Sequence, residues 1–106
     1  MPKYLIQASY TVDGIQGLLK DGGSKRKAAA EQAIKGLGGR IEAFYFAFGD
    51  ADAVVIADAP DNQSAAAVSL AVIASGAVRT KITVLMTPGE MDQATKKSVS
   101  YRPPGR

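Results

Sequence analysis

Neither cysteine nor histidine occurs anywhere in the sequence. Without cysteine, disulfides, thiolate catalysis and cysteine-ligated zinc or iron–sulfur centres are excluded. Without histidine, the chain lacks the commonest general base, the commonest transition-metal ligand and the usual haem axial ligand. Acid–base chemistry is left to Asp, Glu, Lys and Tyr, and metal binding to hard cations on carboxylates. No cofactor or metal is therefore expected. A charged-then-apolar opening with a cleavage site is also missing, which argues against a signal peptide. Asn62 to Val78 carries no charge, but it is rich in Ala and Ser and reads as a buried helix rather than a membrane span. The expected compartment is the cytoplasm, with no membrane partner.

The 106 residues and 11.0 kDa suit one domain. A chain of this mass exposes about 5,600 Å² folded and about 16,000 Å² unfolded, enough burial for a modest core. Hydrophobic residues make up 46% and charged ones 22%, so the body of the chain is expected to fold. The net charge of +3 is small and arises from lysines in one loop and a basic tail.

Lys3 to Tyr10 alternates as a strand, with Tyr4, Ile6, Ala8 and Tyr10 on one face. Thr11 to Leu19 reads as a connector with at most a helical turn, Ile15, Leu18 and Leu19 pointing inward, and Asp21-Gly22-Gly23 breaks it. Ser24 is the expected cap of a helix built on Ala30, Ala33, Ile34 and Leu37, which leaves through Gly38-Gly39. Arg40 to Phe48 and Ala53 to Asp58 read as a hairpin around Gly49–Asp52. Asp61 caps a second helix, ended by Gly76, and Val78 to Met86 is the last strand. Thr87-Pro88-Gly89-Glu90 has the form of a capping box that opens a short C-terminal helix. Residues 1–98 form the expected domain and residues 99–106 a basic extended tail.

Strand, helix, strand, strand, helix, strand predicts an α+β, ferredoxin-like β-α-β-β-α-β fold: an antiparallel sheet with the helices on one face. The second strand places Phe44, Phe46 and Phe48 on one side and Ile41, Ala43, Tyr45 and Ala47 on the other. In the third, Val54 and Ile56 oppose Val55 and Ala57. Both sides of this hairpin are apolar, and helices cover only one. Leaving large apolar side chains wet costs about 1.5–3 kcal/mol each, so the expected partner is a second copy, packed sheet to sheet. Phe44, Tyr45, Phe46, Val54, Val55 and Tyr101 are the expected interface residues. The alternative is a lid over the open face made by the chain's own tail and terminal helix.

The Tyr4-Leu5-Ile6 opening, the Leu37-Gly38-Gly39 helix exit, Phe48-Gly49-Asp50-Ala51-Asp52, Ala59-Pro60-Asp61 and Val78-Arg79-Thr80 together resemble the GYD domain family. The resemblance spans Lys3 to about Glu90 and implies a dimeric α+β barrel without implying an activity. Gly49 and Asp52 match the family's Gly-x-Tyr-Asp-like hairpin, whereas Ala51 stands at the tyrosine position, so no role of that tyrosine carries over.

Such a barrel puts a pocket against the open sheet face, within reach of Gln7, Ser9, Glu42, Tyr45, Asp52, Arg79 and Lys81. The expected ligand-binding set is Arg79, Gln7, Ser9 and Lys81, with Arg79 as anion anchor. The plainer reading pairs Arg79 with Asp50 or Asp52. Asp50 and Asp52 could share a cation or a proton, or serve only as turn residues. Tyr10, at its strand end, could donate a proton or simply pack. Lys25-Arg26-Lys27 at a helix start could mark an anion site or a solvated turn. Gly22-Gly23-Ser24-Lys25 lacks phosphate-loop spacing. The third strand has no aromatic residue, which argues against RNA or other nucleic acid.

No reaction follows from these residues. The preferred expectation is a non-catalytic small-molecule-binding or structural homodimer. The alternative is a cofactor-independent enzyme on a small aromatic or carboxylated substrate, with Tyr45, Asp52 or Tyr10 moving the proton. A weaker third is a protein-interaction module using the tail.

Overall fold

The computed structural model describes all residues, Met1–Arg106. The strands are β1 (Lys3–Tyr10), β2 (Arg40–Phe46), β3 (Ala53–Asp58) and β4 (Val78–Leu85). The helices are α1 (Val12–Asp21), α2 (Gly23–Gly36), α3 (Asn62–Ala74) and α4 (Pro88–Thr95). All strand pairs are antiparallel and the sheet order is β2-β3-β1-β4. This is the ferredoxin-like α+β arrangement. No helix is long and apolar enough to cross a membrane.

The expected connector after β1 is in fact the ten-residue helix α1. Thr11 caps it, accepting the Gly14 N–H, with Asp13 in the first turn and Lys20 in the last, charges that suit the helix dipole. Gly14 allows a close approach: a Cβ there would sit 2.0 Å from the Ala77 carbonyl oxygen. Of the three residues expected to point inward, Leu18 is half-buried, whereas Ile15 and Leu19 are exposed. Gly22, at φ +82°, separates α1 from α2. It is also the N-cap of α2 in place of Ser24, and it offers no side-chain cap. The other caps are as expected. Asp61 accepts the Ser64 N–H at 2.8 Å, and Thr87 and Glu90 close a capping box on α4.

The β2–β3 register shifts between Ile41 and Ala43, so Glu42 is an extra residue on β2. A one-residue slip moves every later side chain to the other face. Ile41 consequently lies on the helix side with Phe44, both packed on the cluster of Ile34, Val55 and Ala57, rather than with Ala43 and Tyr45. The open face carries Leu5, Gln7 and Ser9 from β1, Val54 and Ile56 from β3, Ala43 and Tyr45 from β2, and Arg79, Lys81 and Thr83 from β4.

The chain does not cover that open face. Every residue from Met86 to Arg102 is exposed, so neither α4 nor the tail forms the lid weighed as the alternative. The accessible surface is 7641 Å², about 2,000 Å² more than a compact chain of this mass shows. The radius of gyration is 16.9 Å, against about 13 Å for compact folding at this length.

Candidate functional site

On the helix side, α2 leans on the edge strand β2 and α3 on the opposite edge strand β4, and the two helices do not close on one another. The central strands are thereby left as the floor of a cleft of about 590 Å³, within the usual range for small-molecule sites. Ile6, Ala8, Ala53 and Val55 form its floor, while Ala30 and Ala33 from α2 and Ala67 and Ala71 from α3 face each other as walls. Seventeen of the nineteen lining residues are hydrophobic, so the cleft selects for apolar matter. Alanine walls help keep it open, because larger side chains at these positions would take up part of its volume.

Its polar groups gather at one end, where β1 and α3 finish and α2 and β4 begin. Tyr10, Arg26 and Ser75 lie there. The Ser75 hydroxyl is engaged, donating to the Val72 carbonyl at 2.6 Å and accepting the Ala77 N–H at 3.2 Å. Arg26 is half-buried and belongs to none of the three ion pairs of the chain. At the other end, Ile34 and Leu37 are wholly apolar company.

The residues expected to bind a ligand lie on the opposite face of the sheet. Gln7 is paired with Lys81 and Ser9 with Arg79 across the β1–β4 ladder, so these four do converge on one polar patch. Arg79 makes no ion pair with Asp50 or Asp52. Tyr45 is separated from Gln7 by β3, two strand spacings or about 10 Å away, and 71% exposed. Asp52 is occupied structurally: its carboxylate accepts the Tyr10 N–H at 2.8 Å, and its own N–H donates to the Ala8 carbonyl at 2.8 Å. Tyr10 projects to the helix side, away from Tyr45. The three candidate proton-transfer groups are thus not assembled at one point. No cluster of three carboxylates able to hold a metal ion is present.

Of the residues expected at an interface, Tyr45 and Val54 are on the open face. Phe44, Phe46 and Val55 are on the helix side, where the two phenylalanine rings meet edge to face at 5.3 Å. Tyr101 is exposed on the tail.

At the far end of the open face is a charged cluster that the sequence did not single out. Asp58, 5% exposed, accepts from Lys3 Nζ at 2.9 Å and Arg40 Nε at 3.1 Å, and Lys3 also pairs with Glu42. The Lys3 hydrogen bond holds the Asp58 carboxyl below the usual carboxylate range against the cost of burial, with Arg40 assisting. All its charges are mutually satisfied, which marks a clasp between β1, β2 and β3 rather than a reactive centre.

No curated protein and no solved structure shows significant similarity to the chain. The family model of the GYD domain matches residues 4–95, which takes in the sheet from Tyr4 onward, the cleft and α4. The chain belongs to the GYD domain family.

Proposed function

We propose that the protein is a non-catalytic homodimer, joined sheet to sheet, in which each subunit holds a small molecule in the cleft between α2 and α3. The observation that carries this reading is the apolar cleft of about 590 Å³, which has no convergent acid–base pair beside it. A catalytic site needs its proton donor and acceptor within about 3 Å of the reacting atoms, and Tyr10, Tyr45 and Asp52 do not provide that. The dimer is supported by the bare open face, where Leu5, Val54, Ile56 and Tyr45 form an apolar tract, and by the projecting C-terminal arm. A stable interface takes about 800 Å² from each partner, and the excess exposed surface is larger than this. The cysteine-free composition agrees with residence in the cytoplasm. The third strand, without an aromatic ring, offers nucleic acid no stacking platform.

Light scattering after size exclusion and a thermal-shift screen of small apolar compounds test the two halves separately. The expected results are twice the 11.0 kDa chain mass and a rise in melting temperature with a subset of compounds. A monomer at micromolar concentration defeats the dimer. A screen without a single shift defeats the binding role.

A further inference from the structure

The cleft is polarised along its length, and this specifies its ligand more closely. Its floor and walls are aliphatic apart from Phe44 and Tyr10, whose rings offer stacking surfaces, and its end at Ile34 and Leu37 holds no polar side chain. At the opposite end stands one cation, Arg26, with no carboxylate paired to it. An unpaired guanidinium on a half-buried arginine beside apolar surface gains most from an anion delivered there, because Arg binds a carboxylate or sulfonate through two parallel hydrogen bonds. We propose that the cleft binds an aromatic monoanion, its ring body between the alanine walls and its acidic group on the Arg26 guanidinium. This inference rests on the small-molecule reading above.

The C-terminal arm of a second copy is the competing occupant, since Val99 and Tyr101 are exposed and apolar. Its charge is wrong for the place. Beyond Asp92 the chain carries Lys96, Lys97, Arg102 and Arg106 and no acidic side chain, so the arm would bring cations to a cationic rim.

A matched pair of dyes separates the apolar from the anionic part: anilinonaphthalene sulfonate, an aromatic monoanion, and its uncharged counterpart phenylnaphthylamine. With the full chain, one site per subunit is expected for each. Arg26→Gln should weaken the sulfonate dye about tenfold, the size of one charge-assisted hydrogen bond at a half-exposed site, and leave the neutral dye unchanged. Arg26→Lys should recover part of the loss, and Lys25→Gln should have no effect. Ala33→Leu, which narrows the wall, should weaken both dyes. If Arg26→Gln leaves the sulfonate dye as tight as before, the anion assignment falls while the cleft remains a binding site. If neither dye binds, or Ala33→Leu changes neither, the binding role of the cleft falls with it. If Tyr101→Asp in the full chain strengthens both dyes, the arm is the natural occupant and the proposal is overturned.

Discussion

Asp58 shows how burial and charge combine at a single residue. It is buried on the face that is otherwise open, and it remains ionised because Lys3 and Arg40 both donate to it. Its carboxyl is lowered from the ordinary value when folded, mainly by the Lys3 hydrogen bond. A lowered folded value means that the stabilisation is present above the unfolded value and is lost as pH falls through the folded one. Unfolding free energy, from urea titrations at a series of pH values, should therefore decline on acidification below about pH 4. Asp58→Asn should cost about 1–2 kcal/mol at neutral pH, the worth of hydrogen bonds to a charged group discounted for one partly exposed partner, Lys3, and one exposed partner, Arg40, and should flatten the acid limb. A second residue-scale test concerns Gly14, whose hydrogen faces the Ala77 carbonyl. Gly14→Ala should destabilise by about 1–3 kcal/mol through overpacking. Gly17 has open space at the same point, so Gly17→Ala should be neutral or gain up to about 1 kcal/mol. Paired thermal melts of the two variants check this. The sequence could not separate these glycines, because the contact that distinguishes them comes from Ala77, far along the chain.

At the scale of elements, much was legible because capping and alternation are local. Asp61, the Thr87–Glu90 box, the left-handed exit at Gly38 and the hairpin all follow from neighbours within a few residues. Helix α1 was hidden because Gly14 and Gly17 weaken its propensity and its packing against α2 and β1 is non-local. The β2 bulge was hidden because strict alternation is the only signal a strand offers, and Glu42 breaks the count silently. The cleft was hidden for a related reason: the separation of α2 and α3 is set by their edge strands. Its one visible trace is the run of small residues, Ala29, Ala30 and Ala33 with Ala67 and Ala71, where core-filling side chains would be usual. That trace predicts a trade-off. Ala33→Leu should raise stability by about 0.5–1.5 kcal/mol, as cavity filling commonly does, while closing the site to ligand. Thermal melts with and without phenylnaphthylamine check both halves: a higher melting temperature alone, and a smaller ligand-induced shift.

For the whole molecule, the decisive fact is that one chain leaves one side of its sheet bare. The helix side is half-covered and the open side is not covered at all, while α4 and the tail extend away from the body. A hairpin with apolar residues on both sides gains stability in water when a second layer meets the side the helices leave free. The proposed association through that face would make stability depend on subunit concentration, since dissociation would accompany unfolding. The melting temperature should accordingly rise as protein concentration is raised from low micromolar to millimolar. Ile56 is half-buried in the centre of the open face and is not among the residues that line the cleft. Ile56→Glu should convert the proposed dimer to the 11.0 kDa species in light scattering, because a desolvated carboxylate without a partner costs several kcal/mol at an interface. The same variant should keep the far-ultraviolet circular dichroism of the parent and lose the concentration dependence of its melt. A parent protein whose melting temperature is flat across that concentration range would show that the bare face is tolerated by a single chain.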